Sequence, residues 1–226
     1  MINHHLALIS QAILDISLES EGKIDAKIGD IAEVIDCLHS KKPSQTRAGN
    51  PLIQLNNIRD DGLLDMTDVF LISEGDYQKW TSRCEVSEGD CVITNVGRVG
   101  AVSQAPPGLR AAMGRNMTCI RTKNTFPYPA FVITYLLSNR MRVEITNNTD
   151  RGTILDALNV KNIPLLPITI LSDEKMIELE NTLRYIRSMM EINLKMSARL
   201  SEIRDRLLPF LLSESNISID RYLGAK

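Results

Sequence analysis

Two glycines flank Arg98 in the β-branched run "VITNVGRVGAVSQ", and backbone amides beside glycine are the groups that wrap a phosphate. A nucleotide cradle needs more than that pair. Neither a Gly-Lys-Ser/Thr ending nor a third glycine follows, so Gly97-Arg98-Val99-Gly100 taken alone reads as a hairpin turn. Asp60, Asp61 and Asp65 in "RDDGLLD" read as a turn carrying solvated acids rather than as metal ligands. Cys37, Cys84, Cys91 and Cys119 include no Cys-x-x-Cys pair, and the histidines are His4, His5 and His39. That spacing is too loose for a zinc site, and the chain is too large for a disulfide scaffold, so buried free thiols are expected. Ala105-Pro106-Pro107-Gly108 lacks the polar and aromatic residues that would grip a flipped base for amino-methylation. No Walker lysine motif appears either, so none of these motifs speaks for catalytic residues, a metal or a cofactor.

The charge distribution is more informative than the net charge of −2. Between Asp90 and Glu144 there is no acid, yet the interval carries Arg98, Arg110, Arg115, Arg121, Lys123, Arg140 and Arg142. A second acid-free window, between Asp36 and Asp60, holds Lys41, Lys42, Arg47 and Arg59. The segment between the windows is strongly acidic. Local fields, not the bulk average, attract phosphate, although such runs also occur as solvated faces that neighbouring acids cancel.

These residues need elements to hold them. Ile2, Leu6, Ile9, Ile13 and Ile16 recur at spacings of four and three, which predicts a short N-terminal amphipathic helix. From about residue 23 to 171 the texture changes to short β-branched runs ("AEVID", "PLIQL", "DVFLI", "CVITNV", "VGAVS", "NIPLLPI") that read as strands, with one helix opening near Pro129. An α+β fold follows. Composition supports a real core at 43% apolar residues. No apolar run is long enough to span a bilayer and the N-terminus has no signal-like pattern, so a cytoplasmic protein without membrane contact is expected.

After "PLLPIT" a long helical periodicity takes over, with Ser172 as N-cap. Met176, Leu179, Leu183, Ile186 and Met190 occupy heptad a and d positions, continued by Asn193, Leu200 and Leu207, with Met189, Met196 and Ile203 alongside. Pro209 should stop or kink the helix, leaving a rod of roughly 50 to 55 Å at 1.5 Å per residue. The expected organisation is a helix over 1–22, a strand-rich domain over 23–171, a coiled-coil helix over 172–212 and a tail over 213–226. Pairing through Leu179, Leu183, Ile186, Met190, Asn193, Leu200, Ile203 and Leu207 is expected, Asn193 fixing register. The alternative is a helix folded back on its own domain and the N-terminal helix. If the rod pairs, charged substitutions at Leu183, Ile186 and Leu200 should leave a folded monomer.

"KIGDIAEVIDCLHSKKPSQ", "NPLIQLNNIRDDGLLD", "VSEGDCVITNVGRVGAVS" and "LNVKNIPLLPI" leading into a long helix together resemble the target-recognition domain and conserved-region helix of a type I restriction-modification DNA specificity subunit. The order and spacing of these motifs, over nearly the whole chain, carry the resemblance. Members of that family usually hold two such domains separated by two long antiparallel helices, so this chain resembles a half-size form. It also departs from them in having "ITILSDEKM" where a Glu-Gln pair commonly begins the helix. The resemblance implies a non-catalytic protein that reads duplex DNA, positions a methyltransferase subunit and through it a restriction subunit, and forms a homodimer through the long helix. A coiled-coil interaction module that never touches DNA is the alternative; a Gly-x-x-Gly RNA clamp has the wrong, β-branched flanks.

Reading a base requires bidentate donors and acceptors, arginine matching guanine and an amide matching adenine, while lysine and arginine on phosphates supply affinity. The loops that carry both are "HSKKPSQTRAGN", with Lys41, Lys42, Gln45 and Arg47, and "SQAPPGLRAAMGRN", with Gln104, Arg110, Arg115 and Asn116. Arg98 and Arg121 are further basic candidates.

Overall fold

The computed structural model describes residues 2–19, 21–150, 152 and 155–223, with side chains on the last helix as far as Leu211. Helix α1 (Ile2–Glu19) is followed by strand β1 (Ile24–Lys27), a single turn α2 (Ile28–Ile31) and strand β2 (Ala32–Asp36). After the loop 37–49 come β3 (Asn50–Ile53), a 3-10 turn η1 (Leu55–Asn57), β4 (Phe70–Ile72) and α3 (Glu74–Trp80). Strands β5 (Glu85–Ser87), β6 (Cys91–Thr94), β7 (Val102–Gln104), β8 (Arg110–Met113) and β9 (Met117–Thr122) then run without interruption by a helix. Helices α4 (Pro129–Leu136) and α5 (Asn139–Asn147), the short pair β10 (Thr149–Asp150) and β11 (Ala157–Leu158), a 3-10 segment η2 (Val160–Leu165), β12 (Pro167–Ile170) and helix α6 (Asp173–Leu223) complete the described chain.

Two four-stranded sheets, ordered β2-β9-β6-β7 and β4-β3-β8-β5, form the centre. Alternating side chains send the first sheet's residues into two different cores. Val92 and Cys119 join Ile53, Val86 and Met113 of the second sheet, whereas Cys91, Ile93 and Ile120 join Leu14, Leu18, Phe131, Leu136 and Leu183 of the helices. Strand β6 is therefore buried at every residue. On the outer side of the second sheet, Leu52, Ile72 and Ala112 cover Trp80 of α3. The resulting layers are helices, sheet, sheet and a short helix. All four cysteines are buried and free.

The α+β class and both terminal helices agree with the sequence, but several details differ. The central strand β9, "MTCIRT", and the helices α3 and α5 escape the periodicity reading. "NIPLLPI" becomes mostly 3-10 helix, because Pro164 and Pro167 remove two ladder donors. On α1 the buried side chains are Ser10, Leu14 and Leu18, leaving Ile2, Ile9 and Ile16 exposed. Helix α6 continues through Pro209 rather than stopping there, so residues 213–223 are helical; 224–226 lie outside the described residues.

The largest correction concerns α6 itself, which carries two different apolar stripes. Met176, Leu179, Leu183, Ile186 and Met190 are buried against α1, α4 and the sheet. Asn193 Nδ2 donates to Asn3 Oδ1 at 3.0 Å, and Asn3 Nδ2 donates to the Met190 carbonyl at 2.8 Å. The first half of the expected seam, Asn193 included, is thus spent inside the chain, and charged residues at Leu183 or Ile186 would disrupt the core rather than free a monomer. A second stripe, Tyr185, Met189, Ile192, Met196, Leu200, Ile203, Leu207 and Phe210, follows helical spacing and is exposed throughout. Leu200, Ile203 and Leu207 belong to this one. At 1.5 Å per residue the helix is roughly 75 Å long, so its distal half projects beyond the layers.

Two buried polar groups fix α6 in place. Glu180 accepts from the Ala130 and Phe131 amides at 3.1 and 2.8 Å, capping the otherwise unsatisfied start of α4. Arg187 Nη2 donates to the Gly62 carbonyl at 3.2 Å. Burial pushes the Glu180 carboxyl above its ordinary pKa despite those amides. Among the described residues no helix is long and apolar enough to cross a membrane.

Candidate nucleic-acid interface

The loop 37–49 leaves β2, and the turn Gly114-Arg115-Asn116 joins β8 to β9; because β3 pairs in parallel with β8, the 3-10 turn after β3 reaches the same end of the sheet. A concavity of about 340 Å³ results, lined by Lys42, Gln54, Leu55, Asn56, Arg115 and Asn116 over a floor of Leu52, Trp80 and Met117. Two of the loops singled out in the sequence therefore converge. Lys42 Nζ donates to Gln54 Oε1 at 2.8 Å and lies 4.2 Å from the centre of the Phe70 ring. Asn116 has φ 65°, the only non-glycine residue with a positive φ among the described residues. Asparagine tolerates that conformation better than most residues, and its side chain and that of Arg115 are exposed at the rim.

The track continues across η1. Leu55 Cδ1 lies 3.7 Å from where a Cβ on Gly97 would sit, and Gly97 and Gly100 both adopt positive φ. The glycine pair is the tight turn between β6 and β7. Arg98, at its tip, donates through Nη1 to the Ile58 carbonyl at 2.8 Å and through Nη2 to Asp60. Asp60 is 95% exposed, so this ion pair sits in solvent where a phosphate could exchange with it. Beyond the turn, Arg59, Arg98 and Arg142 line a larger cleft of about 580 Å³ against α5. Arg59 is held by Asp61 and Asp65, at 2.8 and 3.6 Å.

Lys42, Arg115 and Asn116 thus line one concavity, Arg98 lies beyond η1 in the neighbouring cleft, and Lys41, Gln45 and Arg47 lie on the exposed loop that carries Lys42. Three other candidates lie elsewhere. Gln104 is buried in β7, where Nε2 donates to the Gly89 and Pro129 carbonyls at 3.1 and 2.7 Å; its amide nitrogen holds the sheet to α4 and is already committed. Arg121 grips buried Asp90 bidentately, at 2.8 and 2.6 Å, and donates to the Glu85 carbonyl at 2.7 Å. That carboxylate holds the guanidinium pKa well above its usual value, and Arg121 locks the Glu88-Gly89-Asp90 turn. Arg110, at the opposite end of β8 from the Arg115 turn, pairs with Glu85 at 2.8 Å. Gln54, Asn56, Arg59 and Arg142 are the lining residues that motif reading missed. Arg59 and Arg142 stand in the acid-free windows, which was the available signal; Gln54 and Asn56 had none, because only the β3–β8 pairing brings them to this edge.

No protein-family model matches the sequence, and no curated protein matches it. Solved structures do match. The type I restriction-modification S subunit from M. genitalium superposes with a TM-score of 0.64 at 14% identity, covering 92% of this chain and 53% of that one. The HsdS subunit from Thermoanaerobacter tengcongensis gives 0.55 at 15% identity, covering 87% and 46%. A structure of a type I R-M system, described for its complex assembly and conformational transition, gives 0.53 at 14% identity over 91% and 51%. The chain has the fold of these specificity subunits and spans about half the length of each.

Proposed function

We propose that this protein is a DNA specificity component of a type I restriction-modification system, reading one half of a bipartite duplex site. The observation that carries this reading is the convergence of Lys42, Arg115 and Asn116 with Gln54 and Asn56 in one concavity, continued by Arg98 and Arg142 beyond the glycine turn. Lysine and arginine would neutralise phosphates, while Arg115, Asn116, Gln45, Gln54 and Asn56 offer the fork and amide groups that discriminate bases. In this reading the chain performs no covalent step; methylation belongs to a methyltransferase subunit, and cleavage to a restriction subunit reached through it.

The exposed stripe from Tyr185 to Phe210 supports pairing of the distal rod with a second specificity chain, a copy of this one being the simplest partner. An isologous antiparallel arrangement would hold two recognition surfaces at opposite ends and call for an inverted, interrupted target. The same stripe also favours a second reading, an interaction module that binds a protein partner and no DNA. Fluorescence anisotropy with a labelled random-sequence duplex over a salt series separates the two. DNA binding should give a linear log K against log salt plot, the slope changing by about 0.9 for each phosphate contact removed. Absence of duplex binding at low salt would reject the DNA reading and leave the interaction module.

A further inference from the structure

Two clusters of cysteine, histidine and carboxylate ligand atoms occur among the described residues, each with its atoms within 4.8 Å of one another. In the first, formed by Cys84, Asp90 and Cys119, the carboxylate is already consumed. Asp90 Oδ1 accepts from Arg121 Nε, and Oδ2 accepts from Arg121 Nη2 and the Ser87 amide, at 2.8, 2.6 and 2.8 Å. A divalent cation there would have to displace a buried ion pair.

The second cluster, Asp36, Cys37 and His39, is in the opposite state. Asp36 Oδ2 lies 2.8 Å from His39 Nε2, but Oδ1 is buried and no donor reaches it among the described residues. A buried carboxylate oxygen without a partner is costly, and a cation at that atom would satisfy it. Cys37 adds a soft sulfur donor and is 1% exposed. His39 is 64% exposed and sits on a loop, which leaves its ring free to turn.

We propose that Asp36, Cys37 and His39 form a binding site for a zinc-class divalent cation, using one oxygen, one sulfur and one imidazole nitrogen, with water completing a tetrahedron. Bond lengths of about 2.0 to 2.3 Å place such ligand atoms roughly 3.3 to 3.8 Å apart, inside the 4.8 Å span of the cluster, and rotation of His39 opens its 2.8 Å contact with Asp36 to admit the ion. The mixed sulfur and nitrogen donors select zinc over magnesium or calcium. Arg83 is the competitor. Its Nη1 donates to the Cys37 carbonyl at 3.0 Å and stands 3.7 Å from Asp36 Oδ2; on ligation it keeps the carbonyl and gives up the carboxylate. The site lies where the loop bearing Lys41, Lys42, Gln45 and Arg47 leaves β2, so a bound cation tethers the root of that loop. Only this last consequence rests on the DNA reading.

Cobalt(II) titration of the full chain tests the site without DNA, through the thiolate-to-cobalt charge-transfer band in the near ultraviolet and its displacement by zinc. One equivalent is expected to bind. Cys37→Ser should abolish the band, His39→Ala should weaken binding by more than about tenfold, the loss that follows removal of even an outer-shell partner, and Cys84→Ser should leave it intact. Arg83→Gln should tighten binding. No band at equimolar cobalt, a band that persists in Cys37→Ser, or a band lost in Cys84→Ser would each overturn the proposal. If Cys37→Ser fails to fold, the exposed His39→Ala variant decides: unchanged cobalt affinity there sinks the site. Duplex binding measured in parallel keeps the two readings apart, because a metal band without DNA binding, or the reverse, identifies which one failed.

Discussion

Leu183 and Leu200 have the same side chain on the same helix, and the structure assigns them opposite roles. Leu183 is 0% exposed among α1, α4 and the first sheet, while Leu200 is 62% exposed. Replacing Leu183 by alanine removes buried methylene and methyl groups and leaves a cavity, at a cost of about 2.7 to 5 kcal/mol. For a chain of this size each kcal/mol moves the melting temperature by roughly 2 to 4 °C, so Leu183→Ala should fall by roughly 5 to 20 °C. Leu200→Ala should change the stability of the dilute chain by no more than about 0.5 kcal/mol, yet weaken self-association. Urea and thermal melts followed by circular dichroism at the lowest workable concentration measure the first quantity, and sedimentation across a concentration series measures the second. Equal destabilisation by the two substitutions, or a Leu183→Ala cost below about 1 kcal/mol, would refute the division of α6 into an internal half and a projecting half.

Other expectations follow from the same geometry. Arg115→Ala and Arg142→Ala should each lower duplex affinity and reduce the salt slope by about 0.9 while leaving the melt unchanged, whereas a melting shift would make them structural. Arg121→Ala should behave inversely, destabilising by about 2 to 3 kcal/mol because Asp90 keeps a buried charge, discounted for the partial exposure of the arginine, with the salt slope unaltered. Gly100→Ala places a Cβ 2.9 Å from Ile145 at φ 79°, and thermal melts should register the loss of both the turn and the α5 contact. The pH dependence of Glu180 has a definite sign. Its folded pKa is raised, so between the unfolded value of about 4.3 and the raised value the native state holds the extra proton and stability declines as pH increases. Urea midpoints of wild type relative to Glu180→Gln should therefore drop with rising pH across that window, and a relative rise would contradict the burial argument.

The sequence was most legible where one physical requirement acted alone. The glycine turn at 97–100 and the helix following residue 172 were readable because backbone conformation and apolar repeat leave local marks. Faces were harder. On α1 the isoleucines at 2, 9 and 16 make the more conspicuous stripe, yet Leu14 and Leu18 point inward, since hydropathy alone does not say which apolar stripe meets the core. Strand β9 was missed because both its faces are buried and its inward residues include Thr118 and Cys119, so no alternation survives. In the interface, charge windows pointed to Arg98, Arg115 and Arg142 but gave no means to separate them from Arg121, whose partner Asp90 is 31 positions away. Gln104 looked like a base reader for the same reason: an amide that ties a strand to a helix is indistinguishable by type from one that is free.

The clasp between α1 and α6 also constrains how the molecule is made. Lys175 reaches the Glu21 carbonyl across 154 positions and Asn193 reaches Asn3 across 190, so the first helix, which also packs on α4, is fully covered only when the last arrives. During synthesis, Leu14, Leu18 and the apolar side of α4 remain without their lid until about residue 190 has cleared the ribosome. Such distant closure is slow and leaves sticky surface exposed in the meantime. A ribosome that pauses within the rod would therefore expose an adhesive intermediate.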